Sequence, residues 1–261
     1  MSEQQIRFDD GAAYERMMGT WSRLVGDLFL DWLAPRPGLR WIDVGCGNGA
    51  FTELLVERCA PAEVQGIDPS VEQLAYARAR PAARVAEFRQ GDAMALPFSA
   101  DRFDAAVMAL VIFFVPDPAK GVAEMVRVVC PGGTVAAYAW DILGGGFPNE
   151  PFRIEMSEMG VALPLPPSVN ASRMEALQDL WAGAGLHAVE TRKIEVQRTF
   201  ADFDDFWTTS LGSSVGPRIA AMPSSDVELL KNRLRAHLPA DAAGRITYGA
   251  HANAIKGRVS M

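Results

Sequence analysis

The chain has 261 residues, enough for one large domain, or for a domain with an appended cap, and enough to bury a sizeable core. Apolar residues make up 49% and charged residues 22%, an ordinary balance for a soluble globular protein. With 25 Lys and Arg against 32 Asp and Glu the formal net charge is −7, and no dense basic block appears, so nucleic acid is a poor candidate partner.

In chain order, the opening MSEQQIRFDD lacks the basic start and apolar stretch of a secretory signal. Trp21, Leu24, Val25, Leu28 and Trp32 are spaced for an amphipathic helix over about 20–33, broken by Pro35-Arg36-Pro37-Gly38. Trp41 to Val44 reads as a short buried strand, followed by three glycines and a helix marked by Phe51, Leu54 and Leu55. Val64 to Ile67 is a second strand ending at Asp68-Pro69-Ser70, and a helix with Val71, Leu74 and Ala75 inward follows. Val85 to Arg89 and Phe103 to Leu110 read as the third and fourth strands. Asp117-Pro118 is an N-cap with proline at the first helical position, opening a helix lined by Val122, Met125, Val126 and Val129. Pro131-Gly132-Gly133 stops that helix, and Thr134 to Trp140 is the fifth strand.

Beyond it, 142–170 reads as a long loop, 172–184 as a helix, 187–198 as a strand, 202–212 and 224–237 as helices, and 245–258 as a final strand. Ala105 to Val115, the longest strongly apolar run, is too short to span a bilayer. Cys46, Cys59 and Cys130 are odd in number and lack a CxxC pair, which points to a reducing cytoplasm and no structural metal.

Alternating strands and helices imply βαβ units: an α/β, Rossmann-like, doubly wound sheet, mostly parallel, with an antiparallel edge strand from the last two strands and a helical cap insertion. The expected arrangement is a single domain, with a core at about 35–141, 172–198 and 245–258 and cap pieces at about 1–34, 142–170 and 202–240. Such sheets bind ligands beyond the carboxyl ends of their strands.

Gly45, Gly47 and Ala50 satisfy the G-x-G-x-x-G/A fingerprint, and Asp68 sits at the end of the second strand, where a carboxylate meets ribose hydroxyls. To that point a nicotinamide cofactor and S-adenosylmethionine (SAM) fit equally. Three features separate them. Asp43 stands two residues before the first glycine, suited to an amino-acid ammonium and ill placed beside a pyrophosphate. Gly91-Asp92-Ala93 ends the third strand, where a carboxylate can accept from an adenine amino group. Asp101-x-Phe103-Asp104 and Pro131-Gly132-Gly133 frame the last two parallel strands.

DVGCGNG, GIDPS, GDAMALPF, DRFDAAV and the helix ending in CPGG together resemble the ordered motifs of class I SAM-dependent methyltransferases, nearest the ubiquinone-biosynthesis-like group. The resemblance covers about residues 14–141. It implies that Gly45, Cys46 and Gly47 wrap the methionine part of SAM, that Asp68 with Pro69 holds the ribose, and that Asp92 with Ala93 holds adenine. It also implies that Tyr14, Met18 and Trp21 belong to a segment lying over the cofactor, with Leu110 beside it. Many relatives carry histidine or polar residues after strand four. Here the stretch is Val111-Ile-Phe113-Phe114-Val115, so no catalytic histidine is available there, and no catalytic residue stands out. Phe113, Phe114, Trp140 and Trp207 are the candidate walls of a pocket for a small, partly apolar acceptor, and the same aromatics would equally serve as packing between an insertion and the sheet. The rival functions are a NAD(P)-dependent oxidoreductase and a non-catalytic SAM-binding regulator.

Overall fold

The computed structural model describes residues 15–238 and 240–261. After a π-helical turn at Glu15–Gly19 come α1 (Thr20–Leu33), β1 (Arg40–Val44), α2 (Ala50–Cys59), β2 (Glu63–Asp68), α3 (Val71–Ala79), β3 (Ala86–Gln90) and β4 (Phe103–Ala109). Then follow α4 (Pro118–Val128), β5 (Val129–Trp140), α5 (Glu150–Glu158), α6 (Met174–Gly183), β6 (His187–Phe200), α7 (Phe203–Ser210), α8 (Gly216–Ala220), α9 (Ser224–His237) and β7 (Ile246–Arg258).

The strands form one seven-stranded sheet in the order β3-β2-β1-β4-β5-β7-β6. The first five pair in parallel. β7 pairs antiparallel with both β5 and β6, so β6 at the edge runs with the parallel set and β7, one strand in, runs against it. The chain leaves β1 toward β2 and β3 on one side and resumes with β4 on the other. The crevice beyond the carboxyl ends of β1 and β4 is therefore the switch point where such sheets bind ligands.

β1 and β4 are buried along nearly their whole length, as expected of parallel strands covered on both faces. α1 buries Trp21, Val25, Phe29, Leu30 and Leu33 against the sheet. Leu24 and Leu28, expected on that face, are exposed, because the buried stripe is rotated toward Phe29. α3 buries Leu74 and Ala77, while Ala75 faces outward. Ala77 is turned inward because it packs on the glycine loop, where a Cβ on Gly49 would come within 3.1 Å of it.

Asp117 caps α4 as expected, accepting from the Lys120 N–H at 3.1 Å. The helix then runs straight into β5 at Val129, and Pro131-Gly132-Gly133 lies within that strand and not in a loop. A bulge between Phe103 and Ala105 absorbs the register shift. A Cβ on Gly133 would sit 2.8 Å from the Asp104 carbonyl oxygen, so the glycine is needed for the close approach of β5 to β4. Asp104 itself binds Arg40, through its N–H, Nε and guanidinium Nη2, at the amino edge of the sheet. The DRFDAAV acid is thus a strand clamp far from the ligand edge.

The expected loop at 142–170 contains α5, and α8 is a further helix not read from the sequence. With α7, α9 and the outer ends of β6 and β7, these helices enclose a second apolar cluster including Phe152, Met156, Phe200, Phe206, Leu230 and Leu234. β5 pairs with β7 only over Ala252–Arg258; from Ile246 to His251 the strand that pairs with β7 is β6. This two-stranded arm projects past the carboxyl end of β5 and holds the second cluster on the ligand side of the sheet.

Candidate functional site

The turn after β1 is built from glycines with left-handed backbone. Gly45 has φ 77° and Gly47 φ 52°. The Gly45 and Cys46 N–H groups both donate to the Ile67 carbonyl, at 2.7 and 3.0 Å, and the Gly47 N–H donates to Asp68 Oδ2 at 2.9 Å. A Cβ on Gly45 would lie 2.3 Å from Val111 Cγ1, so this glycine lets the segment after β4 close against the loop. At Gly47 a Cβ would meet nothing within 4 Å. There the backbone is open on one side, which is what a ligand requires for close approach.

Asp43 is fully buried beneath this loop. Thr52 donates to its Oδ2 at 2.6 Å, while Oδ1 has no partner among the described residues. Burial lifts its carboxyl to about 7, with the Thr52 hydrogen bond opposing the rise and the Asp68 charge adding to it. A cation placed over such an acid would restore its charge, so the group fits an amino-acid ammonium. Asp68 accepts from Gly47 N–H and from Ser70 N–H, both at 2.9 Å, and burial raises its pKa against those two bonds. Each carboxylate oxygen has a second lone pair, so a role in the turn leaves room for further donors. Pro69 follows in the same turn, and Ser70 caps α3 through Gln73 N–H.

Asp92, more exposed, accepts from Met94 N–H at 2.8 Å. Ala93 lies between them, and the Gly91 N–H donates to the Asp68 carbonyl at 3.1 Å, drawing the ends of β2 and β3 together. Cys46 is buried with its sulfur directed at Gly66, and burial pushes its thiol well above the ordinary range. Its side chain is a small filler and not a nucleophile. Tyr14 lies outside the described residues. Trp21 is fully buried against Tyr248, with ring centroids 5.2 Å apart. It anchors α1 to the arm, and Arg198 donates from the arm to the Met17 carbonyl at 3.0 Å.

A cavity opens beside the switch point. Met18, Leu110, Phe113, Phe114 and Trp140 line it together. Its cavity volume is about 80 Å³, and it is open to solvent on one side. Leu110 ends β4 with φ 61°, held by its N–H to the Tyr138 carbonyl at 2.8 Å. A left-handed backbone at a branched residue is strained by about 1–2 kcal/mol, and such strain gathers at binding sites. Trp207 does not line the cavity: it stacks on Phe203 and packs at a tilt against Phe152 in the second cluster, with Lys231 over its ring.

The remaining walls come from residues that sequence reasoning missed, among them Phe147, Asn149, Arg153, Leu163 and Ser213. The expectation of a plain loop at 142–170 hid all of these but Ser213, which falls just past the helix expected at 202–212. One signal was available: Asn149-Glu150-Pro151 is an N-cap residue followed by proline in the first turn, the usual start of a helix. His251 pairs with Asp141 at 3.3 Å, and Asp141 also accepts from Gly144 N–H at 2.9 Å. This pair locks the glycine-rich turn after β5 onto β7. Among the described residues no group of three or more His, Cys, Asp or Glu side chains could hold a metal. No helix among them is long and apolar enough to cross a membrane.

A glycine turn at the switch point, an orphaned buried acid behind it and the acids at the ends of β2 and β3 thus lie together along one edge of the sheet. Residues 42–137 match the family described as "Methyltransferase domain". The chain is 30% identical over 183 residues to "Uncharacterized protein Rv1405c" of Mycobacterium tuberculosis, covering 69% of this chain and 66% of that protein's length. It is 37% identical over 121 residues to the ubiquinone/menaquinone biosynthesis C-methyltransferase UbiE of Cereibacter sphaeroides, covering 45% of this chain and 48% of that one. The YcgJ protein of Bacillus subtilis has a similar structure, with a TM-score of 0.62 at 18% identity over 91% of this chain and 98% of that one. Residues 42–137 therefore form a methyltransferase domain, and the chain shares its fold with solved methyltransferase structures.

Proposed function

We propose that the protein transfers a methyl group from SAM to a small, partly apolar acceptor held in the cavity lined by Met18, Leu110, Phe113, Phe114 and Trp140. The observation that carries this reading is the continuity of the two sites: Val111 packs on Gly45 of the glycine turn, and its neighbour Leu110 lines the apolar cavity. Asp43 would face the ammonium of the cofactor, Asp68 its ribose and Asp92 its adenine. SAM, when bound, supplies a methyl group already activated by a sulfonium. The chain's part is to orient the acceptor and exclude water, and orientation alone is worth on the order of 7–11 kcal/mol.

We further read the second cluster, with its helices α5, α7, α8 and α9 on the β6–β7 arm, as a cap within one domain. Among the described lining residues the only charged side chain is Arg153, and it is paired with Glu150. An acceptor that needs no strong base suits such a cavity. The quinone-pathway relatives support an acceptor of this general kind, although they match under half of the chain. The free thiols suit a cytoplasmic setting.

The test is methyl transfer from labelled SAM to a panel of small apolar acceptors, with tRNA and a basic peptide as competitors. A small molecule should be methylated preferentially, and Phe114→Asp should raise its KM at least tenfold while S-adenosylhomocysteine affinity stays within twofold. Preferred methylation of tRNA or peptide, or indifference of the small-molecule KM to Phe114→Asp, would overturn the assignment.

A further inference from the structure

β6, with 14 residues, is the longest strand of the sheet, and it stands at the margin with β7 on one side only. Its outer edge has no strand partner among the described residues. Free N–H and C=O groups on such an edge invite another strand, so natural edges are usually short, bulged or guarded by charge. In β6 the one irregularity lies near the start, between His187 and Glu190, and the pairing with β7 is regular over 190–200.

The charges on that regular stretch do not guard it; they complement themselves. An antiparallel copy of β6, related by a two-fold axis at Ile194, would set Lys193 opposite Glu195 and Glu190 opposite Arg198, each pair occurring twice by symmetry. Opposite charges in directly facing cross-strand positions stabilise a sheet, and like charges destabilise it. Registers that keep the same face of the sheet upward step by two residues. The next one on one side sets Lys193 against Lys193; the next on the other sets Glu195 against Glu195 and Arg192 against Arg198. Ile194 is also the middle of 190–198, so the register that matches charge pairs this whole stretch. Arg198 is half-buried and makes no ion pair among the described residues: it donates to the Met17 carbonyl and lies over the Phe200 ring.

α1 runs along the same stretch. At one end Arg198 holds the Met17 carbonyl, just before the helix. At the other, Lys256 donates to the Trp32 carbonyl and pairs with Glu190. Around the helix, Arg23 and Asp27 turn toward α2, where they meet Glu57 and Arg58, while Trp21 turns toward Tyr248 on β7. Leu24 and Leu28 follow Trp21 at three and seven positions and share its side, away from α2. They are 37% and 42% exposed. The side of α1 toward the free edge of β6 thus carries two leucines that the fold leaves uncovered.

We propose that the outer edge of β6 is the interface of a homodimer, in which two copies pair β6 antiparallel about Ile194 into one continuous sheet and bring Leu24 and Leu28 of the two α1 helices together over the junction. This surface lies apart from the cavity, and the proposal does not depend on the methyl-transfer reading.

Analytical ultracentrifugation of the full chain tests it. The wild type should self-associate to a dimer with a dissociation constant below roughly 50 μM. Glu195→Lys sets lysine against Lys193 at both symmetric positions and should weaken the dimer at least tenfold. Adding Lys193→Glu to that variant restores opposite charges in the same register and should bring the affinity back to within threefold of the wild type. Both side chains are more than half exposed, so the fold does not hang on them. Leu24→Glu, on a different element, should weaken the dimer at least tenfold as well. A wild type that associates more weakly than this overturns the proposal. So does a dimer indifferent to Glu195→Lys or to Leu24→Glu, and so does a double charge variant that fails to regain affinity.

Discussion

Asp43 shows how one residue can be unfavourable for the fold and useful to the site. Its carboxyl is lifted from an ordinary 3.8 to about 7 by burial. Between those two values the folded chain keeps a proton that the unfolded chain has released, so stability falls as pH rises through that window. Asp43→Asn removes the titration and keeps an acceptor for Thr52. Without ligand, the variant should melt above the wild type by a margin that grows from pH 5 to pH 8, reaching a few kcal/mol at about 1.4 kcal/mol per unit. Its S-adenosylhomocysteine affinity should fall. Thermal melts across that range decide: a margin that does not grow with pH means the carboxylate is not buried as described.

Asp43, the glycines, Asp68 and Asp92 were legible because a parallel sheet puts every strand-to-helix turn on one edge, so their spacing in the sequence maps directly onto neighbours in space. Asn149 and Ser213 lie 64 residues apart and meet only through the packing of α5 against the turn at Ser213. No local pattern announces such a pair.

At the scale of elements, the parallel half of the sheet was readable from its apolar strands and its turn residues. The places where the reading slipped are places where packing overrides local signals. Pro131-Gly132-Gly133 has the composition of a turn but lies in a strand, because β5 must pass within contact distance of the β4 backbone. Trp207, a candidate pocket wall, recurs with Phe203 and Phe206 at helical spacing on α7. Phe206 is instead the centre of the second cluster, T-shaped to Phe200 and stacked on Phe152, and Trp207 packs at its margin. Trp207→Ala should therefore lower unfolding free energy by about 2–3 kcal/mol, below the full cost of a completely buried tryptophan because the ring is only half-buried. Cofactor affinity should stay within twofold. Denaturant unfolding with calorimetry checks this: unchanged stability with a selective loss of acceptor turnover would return Trp207 to the pocket.

For the whole molecule, the sheet and its carboxyl-edge turns supply the proposed cofactor site, and the β6–β7 arm carries a second cluster to the same edge. The cavity lies where the two meet, which is why its walls come from the ends of β4 and β5, from the N-terminal turn and from α5. The central claim is that the glycine turn with Asp43 serves SAM and not a dinucleotide. Isothermal calorimetry of the wild type with S-adenosylhomocysteine and, separately, with NAD(H) tests it most directly. The account predicts saturable one-site binding of S-adenosylhomocysteine and no heat from NAD(H); tight NAD(H) binding with no response to S-adenosylhomocysteine would contradict it.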